Sequence, residues 1–461
     1  MTERNLLRRS VVAGLTAAVA VSAVGASVPV AAAEGAFDPM ACAGKAVRIA
    51  LVDGERDEKG LQDKEAEIEA ATGIDIQLTT MAIGPLGESI AQNLRAPESA
   101  FDIVHVIGFN VAATAGAGLL EELTPYVNDP AKTPADFDFA DFPEGQLNYT
   151  GYFDPEKGEF GGDKLFLVPG IHSGSVLLFY RKDLLDAAGI EVPQTWDDYK
   201  AAAEALTSGD VAGSAMVGAN DPSAMLVDWY SRFVGHGGVL MTGSKGDKTL
   251  KPNFTSEEAV EALQEMIDIL PYSPAAVTSY GFTEAMDAFM AGKVAMWPAW
   301  ATIAGALFGP DSPVKDTVAV APVPRNDESF SRGIRGGWGL AIPANLPQEN
   351  KDCAWLLMTQ ITSKAFEKHQ VMTYQTDPNR ISTAQDPEVI AALPYIPAAV
   401  AAIEDAETLA VANIPETWQI VGELQREINL ALTGAEDAAT AMANAQAGAE
   451  KILRDGGHLA D

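Results

Sequence analysis

The sequence predicts an α/β fold that starts from a parallel sheet. Three observations carry that prediction. Strand-like runs alternate with helical ones along most of the chain. Residues 45–120 read β-α-β-α-β, the order that lays parallel strands side by side with helices on their faces. The chain has 461 residues, 47% of them hydrophobic and 21% charged, enough for two or three domains with real cores.

Taken in order, the chain opens with a processing signal. Met1–Arg9 is basic through Arg4, Arg8 and Arg9, and Ser10–Ala33 carries no charge. The run ends in Ala31-Ala32-Ala33, the small-x-small pattern of a cleavage site, so residues 1–33 read as a signal peptide. Thr16, Ser22, Ser27 and Pro29 dilute it too much for a membrane anchor, which needs about 20 strongly apolar residues. Arg8-Arg9 matches the minimal twin-arginine pattern, but adjacent arginines also occur in ordinary export signals, so the route stays open. The expected location is the periplasm of a Gram-negative-type cell.

Lys45–Val52 is the first strand and Gly60–Thr72 a helix stopped by Gly73. Ile74–Met81 and Phe101–Ile107 are further strands, and a helix is expected from Gly108 through Leu120. In such sheets ligands sit at the carboxyl ends of strands, here Asp53–Arg56, Met81–Gly84 and Gly108–Asn110. Asn128–Gly162, rich in Pro, Asp, Gly and Phe, reads as a long surface excursion. Lys164–Tyr180 is strand-like with a break at Pro169-Gly170. Thr195 and Thr255 each open a helix with the hydroxyl-x-x-acid capping pattern. Val260, Leu263, Ile267 and Leu270 form one apolar stripe, and Trp418, Val421, Leu424, Ile428 and Leu432 another.

Charge and missing motifs exclude several functions. Asp and Glu number 64 against 31 Lys and Arg, a formal charge of −33. Such a chain repels phosphate backbones and anionic membranes, so nucleic acid is no partner. There is no nucleophile elbow, Walker loop, dinucleotide fingerprint or zinc-ligand spacing, and no cofactor or metal is expected. Cys42 and Cys353 form a bridge in an oxidising compartment, or stay as two buried thiols.

Four blocks carry a resemblance. Residues 164–207 read KLFLVPGIHSGSVLLFYRKDLLDAAGIEVPQTWDDYKAAAEALT, and 288–305 read AFMAGKVAMWPAWATIAG. APVP at 321–324 precedes RGIRGGWGLAIP at 332–343, and Cys353–Thr362 follows as a helix. In this order, behind an export signal, they resemble the extracellular solute-binding proteins of carbohydrate ABC transporters, the maltose-binding-protein-like class. The resemblance implies a two-lobed, type II periplasmic-binding-protein-like fold with a hinge and an interlobe ligand cleft. It implies lobes at 34–169 plus 336–375 and 170–335 plus 376–461, with crossings near Pro169–Ile171, Arg332–Trp338 and Gln375–Ile381.

The implied activity is reversible capture of a glycoside, oligosaccharide or sugar alcohol and its delivery to a permease. No bond is made, so the protein is no enzyme, and a monomer is the default. Sugars offer a C–H face to indole rings and a hydroxyl rim to polar side chains. Trp338, Trp300 and Trp297 lie in family blocks that line the cleft, beside Gly337. Trp229, His172, Ser173, Ser175, Arg335, Glu55, Arg56, Asn110 and Arg380 complete the expected ligand set. Trp196 is expected to be structural, and Trp355 and Trp418 core. Where many relatives place Asp or Asn after an Ala-Met pair, this chain has Trp297-Pro298-Ala299-Trp300, a more aromatic subsite. The rivals are a charged sugar derivative, motivated by Arg332 and Arg335, and, less favoured, a secreted glycoside hydrolase.

Overall fold

Two sheets organise the chain in the computed structural model, which describes residues 36–170, 174–220, 225–408 and 414–460. The expected signal peptide, His172 and Ser173 lie outside the described residues. β1 (Ala46–Val52), β2 (Asp75–Met81), β3 (Ile103–Ile107), β4 (Val168–Pro169), β5 (Val176–Arg181), β6 (Ala212–Ser214), β7 (Val294–Trp300), β8 (Val318–Pro322) and β9 (Trp338–Ala341) make up these sheets. The first has the order β2-β1-β3-β9-β4 and the second β8-β5-β7-β6. β1 pairs with β2 and β3 in parallel, as the alternating pattern requires, while β9 runs antiparallel to β3. β1 is apolar along nearly all its length because helices cover both faces of the sheet.

Each sheet has its own core. Ile49, Leu61, Ile103, Leu340, Trp355 and Leu357 belong to one cluster, joined by Cys353. Leu177, Phe179, Trp297 and Phe289 form another around the second sheet. A third contains Trp229, Phe233, Leu263, Val421, Leu424 and Ile428. The chain leaves the first sheet after β4, returns at β9, and leaves again after the helix Lys364–Tyr374, whose stop is Gln375 at φ +55.

The helix after β3 is shorter than expected. Gly108–Asn110, Val111–Thr114 and Ala115–Ala117 are separate short turns. Thr195 forms the expected capping box with Asp198, but the next cap falls on Ser256, which accepts from the Ala259 amide. In that helix Ala259, Ala262, Leu263 and Met266 are buried, a face one step round from the expected stripe. Residues 128–162 are not a surface excursion. Phe137, Phe142, Leu147 and Tyr149 are buried there, Glu144–Thr150 is helical, and Tyr152–Asp154 pairs with Glu159–Leu165.

Cys42 and Cys353 are joined in a disulfide, with Cα atoms 5.6 Å apart across 311 residues of sequence. The bridge ties the segment before β1 to the helix Gln348–Ile361. Reduction should remove about 2–5 kcal/mol of stability, because so long a loop gains much freedom in the unfolded chain. Thermal unfolding with and without reductant measures this, and an unchanged midpoint would contradict it.

Candidate functional site

The ends of β3 and β7 and the starts of β5 and β9 converge at one place. After β3, the Gly108 amide donates to Gly337 O at 3.0 Å. Gly336 N donates to Gly174 O at 2.8 Å, and Ser175 bridges Arg335. Gly174 sits at φ +67, and a side chain there would come within 2.4 Å of the Gly336 carbonyl carbon, so only glycine fits. The Trp300 indole covers Gly336, where an added Cβ would meet the ring at 3.0 Å. Ala301 N donates to Ser175 O at 2.8 Å, which fixes the end of β7 against the start of β5.

Polar side chains surround this crossing without being satisfied by the protein. The helix Glu144–Thr150 packs its Tyr149 ring against Gly108, and Gln146, one helical turn earlier, shares that face. Gln146, Tyr149 and Ser175 are at most 1% exposed. Among the described residues, neither amide atom of Gln146 nor Ser175 Oγ has a hydrogen-bond partner. Tyr149 Oη lacks a well-formed bond, although the Phe109 amide approaches it. Burial pushes the Tyr149 phenol up, against the nearby Arg335 charge. Burial does the same to Tyr230, which lies near Glu407 and Tyr149. A buried polar atom left unbonded costs about 1–3 kcal/mol, so such a cluster suits a ligand with many hydroxyls.

Arg335 does not point a free charge at this cluster. Its Nε and Nη2 donate to Ile403 O, and Nη1 donates to Gly145 O at 3.3 Å. Arg332 donates to Val323 O at 3.1 Å and faces Asp405 at 3.7 Å. Trp338 is partly buried, paired with Ile107, and its ring centre lies 5.8 Å from that of His105. Asn110 and Glu55 are partly buried at their strand ends, Glu55 as the N-terminal cap position of the helix Arg56–Thr72.

Four expected ligand residues are used elsewhere. Trp229 stacks on Phe233 at 4.8 Å and donates to Ala259 O. Trp297 is fully buried beside Phe282 and Phe289. Arg56 donates to Gly170 O at 2.8 Å and to Asp377 O at 2.5 Å. Arg380 donates to Thr362 O and Asp138 O and lies over the Phe142 ring at 4.1 Å. All four are buried, and the structure does not bring them into the cluster. Conversely Trp418, expected as core, is 38% exposed and meets Phe109 edge-on at 4.6 Å. Trp355 and Trp196 are buried as expected. Gln146, Tyr149 and Phe109 were absent from the sequence-based set, since they lie in or beside stretches without a recognisable motif.

The crossings themselves rest on a buried polar node. Beside Arg56, Asp57 lies 3.2 Å from His105 Nε2 and accepts from Gln370 at 3.0 Å. Asn379 also donates to Gly170 O. Glu367 accepts from the Asn379 and Arg380 amides and from Thr383. Among the described residues no cluster of His, Cys, Asp and Glu could hold a metal.

Residues 56–368 match the family described as bacterial extracellular solute-binding protein. The chain belongs to that family. This solute-binding protein is 25% identical over 401 residues to a probable amino-acid ABC transporter periplasmic-binding protein of Sinorhizobium fredii, with 84% of this chain and 85% of the relative covered. It is 25% identical over 322 residues to the mannitol-binding protein of Pseudomonas aeruginosa, covering 64% and 70%. Among solved structures, a solute-binding protein of Agrobacterium radiobacter in complex with ribitol has a TM-score of 0.77 at 24% identity, covering 89% of this chain and 99% of that one. A maltose-bound protein of T. maritima gives 0.76 at 22% identity over the same shares. These likenesses show the two-lobed fold of the solute-binding protein.

Two predictions follow from placement. Trp297→Ala should cost about 3–5 kcal/mol of stability as a core cavity, read by denaturant unfolding. A loss below about 1 kcal/mol would contradict that. Asp57 is the pH-sensitive part of the node. Burial raises its carboxyl, but the His105 bond, the His105 and Arg56 charges and Gln370 outweigh this and hold it below its ordinary range. Its stabilisation is complete above the unfolded value of about 3.9 and is lost as pH falls through the lower folded value. Urea midpoints should therefore fall more steeply below about pH 4 in the natural protein than in Asp57→Asn. Equal slopes would remove Asp57 from the account.

Proposed function

We propose that the protein is the binding component of an ABC importer, capturing a neutral sugar or sugar alcohol between its lobes and delivering it to a membrane permease. The observation that carries the reading is the crossing-point cluster. Buried, unsatisfied Gln146, Tyr149 and Ser175 lie around a turn whose floor is the Trp300 indole on Gly336. Hydroxyls match the polar atoms and a C–H face matches the indole. The mannitol-binding relative and the ribitol and maltose complexes support this class of ligand.

Both hinge arginines are bonded to the protein, which favours a neutral ligand over a charged sugar derivative. An amino acid, suggested by the name of one relative, would need a fixed partner for its carboxylate, and the same observation disfavours it. Lobes bounded near residues 169, 336 and 375 close on the ligand, which shifts the population towards the closed form. No chemistry is performed, and the protein works as a periplasmic monomer.

A thermal-shift screen over sugars, sugar alcohols, sugar acids and amino acids tests the reading. One neutral polyhydroxylated compound should raise the midpoint, with little dependence on salt. A rise only with amino acids or sugar acids, or turnover of a glycoside, would overturn it. With the ligand in hand, Trp300→Ala should weaken binding roughly 5- to 150-fold, for about 1–3 kcal/mol of stacking, and Tyr149→Phe should weaken it by a smaller factor. Calorimetry reads both, and unchanged affinity in both variants would move the site elsewhere.

A further inference from the structure

A buried ion pair lies beside the crossing cluster, in the second-lobe core. Met225–Trp229 forms a single π-helical turn, a rare form found frequently at functional sites. The helix Tyr230–Gly235 continues directly from it. Asp228 and Arg232, one turn apart, are at most 1% exposed. Arg232 Nη1 donates to Asp228 O at 2.7 Å and lies 3.6 Å from the Asp228 carboxylate. The guanidinium rests on the Trp196 ring at 4.4 Å, with Tyr199 beyond it at 5.9 Å. Asp228 Oδ2 accepts from the Val217 amide at 3.0 Å.

The pair fixes two parts of the ligand region. One is the start of the helix Tyr230–Gly235. Tyr230 lies near Tyr149 of the first lobe. Ser231 Oγ is buried and has no hydrogen-bond partner among the described residues. A Cβ on Gly333 would stand 3.6 Å from that oxygen and 3.4 Å from Val176, the residue after Ser175. Ser231 therefore meets the cluster from the second-lobe side. The other part is the loop after β6. β6 runs parallel to β7, so this loop leaves the sheet at the edge where β7 ends in Trp300. Val217 in the loop carries the Asp228 bond, and Asn220, three residues on, is exposed.

The fold gains nothing from this charge. Burial raises the Asp228 carboxyl to about 6, although the Arg232 charge and the Val217 amide pull it down. With an unfolded value of about 3.9, its stabilisation is complete below that value and is lost as pH rises through the folded one. Asp228 Oδ1 and Arg232 Nη2 are also left unbonded among the described residues. A well-packed apolar pair often holds a core as well or better, so the charges point to a use beyond stability. The groups around Asp228 are Arg232 on its own helix and Tyr199 on the helix Trp196–Leu206. His236, at the far end of the Arg232 helix, acts on Arg232 and lies 3.1 Å from Glu265 and 3.6 Å from Glu261 on the helix Glu257–Asp268. The helix Thr417–Leu432 brings uncharged Gln425 and Asn429, which donate to Ala219 O and Gly218 O in the β6 loop.

We propose that the Asp228–Arg232 pair is a positioning brace for ligand binding, fixing the turn that presents Tyr230 and Ser231 to the crevice and the loop that leaves β6. The inference rests on the carbohydrate reading above. With Asp228 ionised, Arg232 is held between the carboxylate and the Trp196 ring. Protonation removes the charge facing the guanidinium and loosens the turn, so affinity falls as Asp228 takes up its proton.

Calorimetry with ribitol, mannitol, glucose and maltose from pH 5 to 8, beside urea unfolding at each pH, tests the brace in the natural protein, Asp228→Asn and Arg232→Met. Neutral sugars do not titrate in this range, so any pH dependence belongs to the protein. The natural protein should bind its sugar about three- to tenfold more weakly at pH 5 than at pH 8. Asp228→Asn should be weaker by about the same factor at pH 8 and keep a flat profile. Its unfolding midpoint at pH 8 should equal or exceed the natural one, because the buried charge is gone, whereas a purely structural role lowers affinity and midpoint together. Arg232→Met should weaken binding and move the acid limb to higher pH, since losing the cation raises the Asp228 carboxyl further. Natural affinity at pH 8 in Asp228→Asn, or a pH dependence that persists in it, overturns the brace and leaves the carbohydrate reading intact. That reading fails instead if only alanine, glutamate or gluconate binds, and the same pH and variant comparison with the compound that binds then decides the brace separately. Binding of none of these compounds overturns both.

Discussion

The arrangement depends first on one guanidinium. Arg56 begins the first long helix of the first lobe and donates to backbone carbonyls of two different crossings, at Gly170 and Asp377. Those crossings carry the chain between lobes, so their relative positions set how the two sheets face one another. A buried arginine is costly to desolvate, and here carbonyls, the Thr376 hydroxyl and the adjacent Asp57 offset that cost. Asn379 reinforces the same Gly170 carbonyl, and Glu367 gathers the amides that follow.

Beyond the node the crevice is a balance between unsatisfied and satisfied groups. Among the described residues Gln146 and Ser175 are buried without side-chain partners and Tyr149 without a well-formed one, at a cost of about 1–3 kcal/mol for each unbonded group. Arg335 to Gly145, Lys245 to Gly158 and Trp418 on Phe109 act in the opposite direction, since each joins one lobe to the other. On the proposed reading, these contacts favour the closed form and the unbonded polar atoms oppose it. A ligand that satisfies those atoms removes the penalty and leaves the supporting contacts in place. Its differential affinity for the two states is then large, which is what a population shift requires.

Much of this was legible in the sequence, and the failures have physical causes. The β-α-β-α-β opening, the Thr195 cap and the glycines at the crossing were readable because local propensity and tertiary demand agree there. Trp297 and Trp300 both looked like ligand contacts, yet they are three residues apart on one strand and so face opposite sides. The spacing allows only one of them on a given face, and the packing buries Trp297 beside Phe282 and Phe289 while Trp300 covers Gly336. Arg56 and Arg380 are buried against the backbone carbonyls of Gly170 and Asp138, each more than 100 residues away in sequence, which no local pattern reveals. Gln146 and Tyr149 sit in a Pro- and Gly-rich stretch whose composition suggested surface, although its phenylalanines fill the first core. Trp418 completes a perfect apolar stripe on its helix, but the stripe's first turn lies past the core edge, so its ring finds Phe109 instead.

The tied-off arginines also bear on selectivity. A strongly acidic protein already repels anionic solutes at long range. An anion that reached the crevice would meet Arg335, whose donors are bonded to Gly145 and Ile403 carbonyls. To pair with the anion, Arg335 would have to release Gly145 and with it a contact that holds the lobes together. Leaving the anion unpaired would bury a charge at several kcal/mol. Either way the charged ligand loses what a neutral one keeps. Discrimination against anions therefore needs no repulsive residue in the site. It follows from Arg335 already being held by the Gly145 and Ile403 carbonyls.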